Sequence, residues 1–126
     1  MALPKLHRLN RPKEFAAVYR QGQRASAAAL SVIVLPVSPE GVSVPSRFGI
    51  SVSQKVHKRA VVRNRLKRQV RSAIQSLIPK VKSNLWIVIV LRPSAVRCDY
   101  WQFLRQLEHT FAELEVIDGH TRGCVL

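Results

Sequence analysis

Within six residues, Arg63-Asn64-Arg65-Leu66-Lys67-Arg68, the chain sets four cations around one asparagine and one leucine. Lys55, Lys58, Arg59 and Arg71 extend the cluster on either side. As guanidinium and ammonium groups, these side chains do the chemistry of recognition. Arginine's planar fork matches two phosphate oxygens at once, and lysine supplies a point charge on a flexible stem. Between Gly41 and Cys98 thirteen Lys and Arg meet no Asp or Glu. A domain meant to sit alone in water intersperses opposite charges, because concentrated like charge repels itself. The pattern calls for a polyanion, and nucleic acid is the class that fits.

Bond-breaking chemistry has far less to work with. A protein-only hydrolase would want clustered carboxylates to hold metal, or histidines as acid and base. The seven carboxylates are scattered, and none lies in the centre of the basic half. His57 sits among cations; it either contacts the polyanion or fills a loop. Cys98 and Cys124 fit a reducing compartment, and with His109 and His120 they match no zinc spacing. No catalytic residue and no protein metal site is expected.

The cations need a scaffold, and the periodicity supplies one. From about Lys58 to Leu77, ahead of Pro79, the residues Val62, Leu66, Val70, Ala73, Ile74 and Leu77 fall on one arc of a helix. Asn64, Arg65, Lys67, Arg68 and Arg71 project on the other side, with Arg63 at the edge of the arc. A merely solvated face would carry glutamates at i±4, and there are none. Upstream, Pro12 opens a short helix that ends near Gln21 and Gly22, with Phe15 and Tyr19 on one face. Leu30 to Val37 reads as a strand, as does the alternating Phe48-Gly49-Ile50-Ser51-Val52-Ser53. Leu85 to Leu91 is uniformly apolar, as a central strand covered on both faces would be. Asp99 is a good N-cap for a last helix with a stripe of Tyr100, Phe103, Leu104, Leu107, Phe111 and Leu114.

At 126 residues and 47% hydrophobic, the chain suits one domain with a real core. Its net charge of +14 is uneven: residues 1–98 hold nineteen basic and two acidic side chains, residues 99–126 two and five. The last segment is therefore not expected to touch phosphates. Residues 1–10 read as a basic, extended arm and the stretch after Glu115 as a poorly ordered acidic tail. The longest apolar run is strand-sized, well short of the ~20 residues of a spanning helix, so no membrane is expected. The start has no apolar signal region, and the chain reads as cytoplasmic.

The Arg63 to Arg68 block, preceded by Phe48-Gly49-Ile50-Ser51-Val52-Ser53-Gln54-Lys55, resembles the signature of the bacterial ribonuclease P protein subunit. The likeness extends outward in order. Arg8-Leu9, Glu14-Phe15, Val18-Tyr19 and Gly22 resemble that family's opening helix, and Trp86 to Val90 with Arg92-Pro93 its last strand and turn. It covers about residues 6–115. The resemblance implies a single-domain α+β sandwich, order α-β-β-α-β-α with room for one extra short strand, and a left-handed β-α-β crossover against the usual preference. It implies an RNA-binding subunit that assists a catalytic RNA in removing the 5′ leader of precursor tRNA. Magnesium would be held mainly by the RNA and none by the protein alone, and the protein would be a monomer in a one-to-one ribonucleoprotein.

Two RNA surfaces follow from the resemblance. Lys55, Arg59, Arg63, Asn64, Arg65, Lys67, Arg68 and Arg71 would dock on the catalytic RNA, although Asn64 has a second reading as a loop-holding amide. Phe15, Tyr19, Lys13 and Arg20 would bind the leader in a cleft between the first helix and the sheet, the aromatics stacking on bases. Both aromatics also have a plain reading as core. This chain departs from some family members in carrying Leu30 and Ile33 where those have aromatics, and in its more basic loop Val56 to Arg59. The competing readings are a ribosomal or ribosome-assembly RNA-binding protein, a helix-turn-helix DNA binder and a stand-alone nuclease. The DNA binder would need a second helix close before the basic one, where Phe48 to Ser53 reads as a strand.

Overall fold

A computed structural model describes residues 8, 9, 11–37 and 43–117. The element order is α1 (Pro12–Gln21), β1 (Gln23–Ser26), β2 (Leu30–Pro36), β3 (Arg47–Ser51), α2 (Ala60–Leu77), β4 (Leu85–Leu91) and α3 (Tyr100–Glu113), with short 3-10 turns at Ile78–Lys80 and Pro93–Arg97. The sheet runs β1-β2-β4-β3. Its first two pairings are antiparallel, while β3 and β4 are parallel neighbours joined through α2. β1 is the extra short strand that the sequence left room for.

Register divides the sheet into two faces. Val32 and Val34 of β2 pair with Ile89 and Ile87 of β4, which in turn pair with Ile50 and Phe48 of β3. These residues meet Leu66, Val70, Ala73, Ile74 and Leu77 of α2 and Phe103, Leu107 and Phe111 of α3 in the main core. The alternating residues Ile33 and Val88 point to the other face, where Leu9 and Val18 close a second, smaller core. α1 thus adds partial cover on the face opposite α2 and α3. β4 is buried between both, which explains its unbroken apolar run.

The helix ends follow their local chemistry. Asp99 caps α3, accepting from the Gln102 N–H at 2.9 Å while the Gln102 side chain accepts the Asp99 N–H at 2.9 Å. In α1, Pro12 occupies the first turn and Glu14 accepts the Arg11 N–H at 3.3 Å. At Gly22 an added Cβ would lie 2.6 Å from the Val18 carbonyl and 2.7 Å from Ile33, so only glycine lets the end of α1 sit this close to β2.

The expected loose tail needs a correction at its start. Glu115 takes a left-handed φ of 60° and the Val116 N–H donates back to the Phe111 carbonyl at 2.8 Å, turning the chain toward the sheet. Val116 and Ile117 are consequently buried, and Ile117 bridges to Val81. The sequence hid this turn because a non-glycine residue fills the left-handed position. The rest of the tail, with His120 and Cys124, lies outside the described residues. So does the proposed arm except Arg8 and Leu9, which run parallel to β3 with the Leu9 N–H on the Phe48 carbonyl at 2.8 Å.

Candidate nucleic-acid interface

α2 begins with neither a side-chain N-cap nor an acidic residue in its first turn. Its helical form rests on burial of the inward arc, since Leu66, Val70, Ala73, Ile74 and Leu77 are all buried. With Leu66 inward, Arg65 and Lys67 lie about 100° to either side, while Asn64, Arg68 and Arg71 follow the outer ridge. Asn64, Arg65 and Arg68 are exposed; Lys67 and Arg71 are half-buried. Among the described residues none of these cations meets a carboxylate. Lys55, Lys58 and Arg59 are exposed on the loop that leads in. The exposed Val61 opens the same outer ridge.

Arg63 behaves differently from its neighbours. Its Nη1 donates to the carbonyls of His57 at 2.9 Å and Lys58 at 2.7 Å. The Arg59 N–H donates to His57 Nδ1 at 3.1 Å. Loop-holding, which the sequence left open for Asn64, thus belongs to Arg63 and His57. The Asn64 side chain makes no hydrogen bond among the described residues.

The second surface lies on the opposite face of the sheet. Phe15 is half-buried with its ring on Gly49, where an added Cβ would come within 2.4 Å of a ring atom. Tyr19, one turn on, is 43% exposed. Phe15 is therefore largely a wall residue, while Tyr19 presents free aromatic surface. Glu14 ties this helix to β3 through Arg47 at 3.3 Å. Ile33 belongs to the cleft face, but Leu30 points into the main core and has no part in it. Lys13 and Arg20 are exposed on the side of α1 turned away from Val18, so the structure does not gather them with the aromatics.

The same face of the sheet carries polar groups that periodicity had not singled out. Ser26 and Ser31 hydroxyls lie 3.1 Å apart across β1 and β2, and Arg92 Nη2 donates to Ser31 Oγ at 3.1 Å. Arg24, paired with Ile33, shares this face. The available signal was strand parity: Arg24, Ser26, Ser31 and Arg92 all alternate with core residues. Among the described residues no three His, Cys, Asp or Glu side chains come together. Cys98 donates to the Ser94 carbonyl at 3.8 Å, and burial pushes its thiol pKa up, helped by the Asp99 charge and opposed by a hydrogen bond with Gln106.

Comparison with known proteins places both surfaces in context. The profile of the Ribonuclease P family matches residues 3–115. The chain is 45% identical over 120 residues to the ribonuclease P protein component of Microcystis aeruginosa, covering 95% of this chain and all of that one. It is 44% identical to that of Synechocystis sp. over the full length of both. Among solved structures, a Staphylococcus aureus RNase P protein mutant with defective mRNA degradation activity superposes with a TM-score of 0.78 at 25% identity, covering 90% of this chain and 92% of that one. The Thermotoga maritima RNase P protein in complex with 1-(4-fluorophenyl)-2-thiourea gives 0.72 at 25% identity, covering 88% and 100%. With a family match over residues 3–115 and the expected order of elements, this chain belongs to the ribonuclease P protein family.

Proposed function

We infer that the chain is the RNA-binding subunit of ribonuclease P, assisting a catalytic RNA in the endonucleolytic removal of the 5′ leader from precursor tRNA. The observation that carries this reading is the α2 ridge: a helix anchored by five buried apolar residues, with exposed cations that no carboxylate among the described residues neutralises. Family membership supports the ribonuclease P RNA as the partner of that ridge. The comparisons lend the ribosomal reading no support.

Arg65, Arg68, Lys67 and Arg71, with Lys55 and Arg59 from the loop, supply the phosphate contacts to the catalytic RNA. Their positions are set by the helix before binding, so little conformational freedom remains to be lost. The cleft takes the single-stranded leader. Tyr19 offers a base platform, Phe15 and Ile33 form the apolar wall, and Arg92 and Arg24 lie on the same face to meet backbone phosphates. Working in the cytoplasm as one protein per RNA agrees with both surfaces belonging to one chain. Magnesium belongs to the RNA in this reading. The donor set of the described residues does not fit a resident divalent ion.

The test is reconstitution. The protein alone is expected to leave precursor tRNA intact, and its addition to the cognate RNA at low magnesium should restore cleavage at the mature 5′ end. Cleavage by RNA-free protein, abolished by a side-chain substitution but not by nuclease treatment, would overturn the assignment.

A further inference from the structure

We propose that His57 and Arg63 form a latch that presets the loop ahead of α2, and that Arg63 serves RNA binding as a positioning residue through this latch. The proposal rests on the reading of α2 as the catalytic-RNA surface. It concerns how the cations around the helix start are aimed.

Three hydrogen bonds make the latch. Arg63 Nη1 bridges the His57 and Lys58 carbonyls at 2.9 and 2.7 Å, and His57 Nδ1 accepts the Arg59 N–H at 3.1 Å. Because Nδ1 is an acceptor, the neutral ring carries its proton on Nε2. The near end of the loop is held independently: Val56 is buried, and its N–H donates to the Ser53 carbonyl at 3.0 Å. The far end is the first turn of α2, which has no side-chain cap or acidic residue. Only residues 57–59 remain to be fixed between these anchors, and the latch acts on all three.

The consequence is geometric and electrostatic. Lys58 and Arg59 are exposed on that short span, and Lys55 stands just before it. Without the latch these cations would sample many directions and lose that freedom on binding. The His57 and Lys58 carbonyls would also present their negative ends beside an incoming phosphate. Arg63 covers them with positive charge. The free energy it contributes thus appears as preorganisation and not as one more released counterion.

The experiment measures Kd of the full chain for ribonuclease P RNA from the same organism, across a series of salt concentrations. Arg65→Ala serves as the reference for a direct phosphate contact and should lower the log–log salt slope by roughly 0.7–0.9. Arg63→Ala and His57→Ala should each weaken binding by about 10-fold with the slope unchanged. The double variant should bind no worse than the weaker single, because both remove one device. His57→Asn should restore affinity, since an asparagine carbonyl also accepts from a backbone N–H two residues on. Amide exchange at Arg59 in the free protein should quicken in both alanine variants and not in His57→Asn.

A slope loss for Arg63→Ala equal to that of Arg65→Ala, with effects that add to those of His57→Ala, would make Arg63 a direct contact and overturn the latch. Unaltered Arg59 exchange in both alanine variants would overturn it too, whatever the binding data. If Arg65→Ala and Arg68→Ala leave RNA affinity untouched, it is the reading of α2 that falls, and Arg59 exchange still decides the latch.

Discussion

The α2 ridge and the α1 face of the sheet, the two surfaces proposed for RNA, are built by different constructions. The ridge is one helix whose inward arc is buried and whose outward side exposes Arg65 and Arg68. Its layout follows from helical periodicity alone once that arc is buried. The cleft is assembled from four elements: Tyr19 and Phe15 from α1, Arg24 and Ser26 from β1, Ser31 and Ile33 from β2, and Arg92 after β4. None of these residues is near all the others in the chain. A surface carried by one helix survives small errors in packing, whereas a cleft spread over four elements depends on register and on the docking of α1.

That contrast is sharpest in stability. Leu66 is fully buried beneath the ridge; Leu66→Ala is expected to lower unfolding free energy by about 2–5 kcal/mol in urea denaturation, disabling both surfaces together. Arg65→Ala, one residue away, should stay within about 0.5 kcal/mol of the parent. Equal losses would mean that the ridge is structural and not a free binding face.

Gly49→Ala tests the cleft's dependence on docking. The new methyl would press into the Phe15 ring, at an expected cost of about 1–3 kcal/mol. It should also raise Kd for precursor tRNA while affinity for the catalytic RNA stays near the parent value, since α2 lies on the other face. A matched fall in both affinities would show that the two surfaces are not separable.

Tyr19→Ala isolates the platform itself. Holoenzyme affinity for precursor tRNA with a leader of several nucleotides should fall by ~1 kcal/mol, the low end for base stacking, because Ile33 gives no aromatic support beside it. Affinity for mature tRNA should hardly change. Equal losses for both tRNAs would remove Tyr19 from the leader site.

The smallest expected effect is on the ridge. Arg65→Ala should reduce the salt slope of catalytic-RNA binding by roughly 0.7–0.9 with an unaltered circular-dichroism spectrum. An unchanged slope would leave Arg68 and Arg71 as the principal contacts of the ridge.

Most of the secondary structure was legible before any coordinates, for reasons that differ along the chain. α2 showed itself through its arc, α3 through the Asp99 cap and stripe, and β4 through a continuous apolar run. The observed bounds of β4 coincide with the expected ones. β1 carried too weak a signal: Gln23–Ser26 is four residues long and only Ala25 is buried. The return of Val116 and Ile117 to the core was concealed because Glu115 adopts the left-handed conformation without glycine.

By itself the sequence determined the class of partner, because charge composition does not depend on how the chain folds. It also determined which helix would carry the cations, since the period of 3.6 residues is local. Tertiary structure alone decided the division of labour among them. Arg63 turns back onto the carbonyls of the loop while Arg65 and Arg68 stay exposed, and Lys13 and Arg20 lie on the far side of the helix that bears Tyr19. It likewise brought Arg92 to Ser31, sixty-one residues apart. Local periodicity says which way a side chain leaves its own element, but what it meets there is set by register and packing between distant segments.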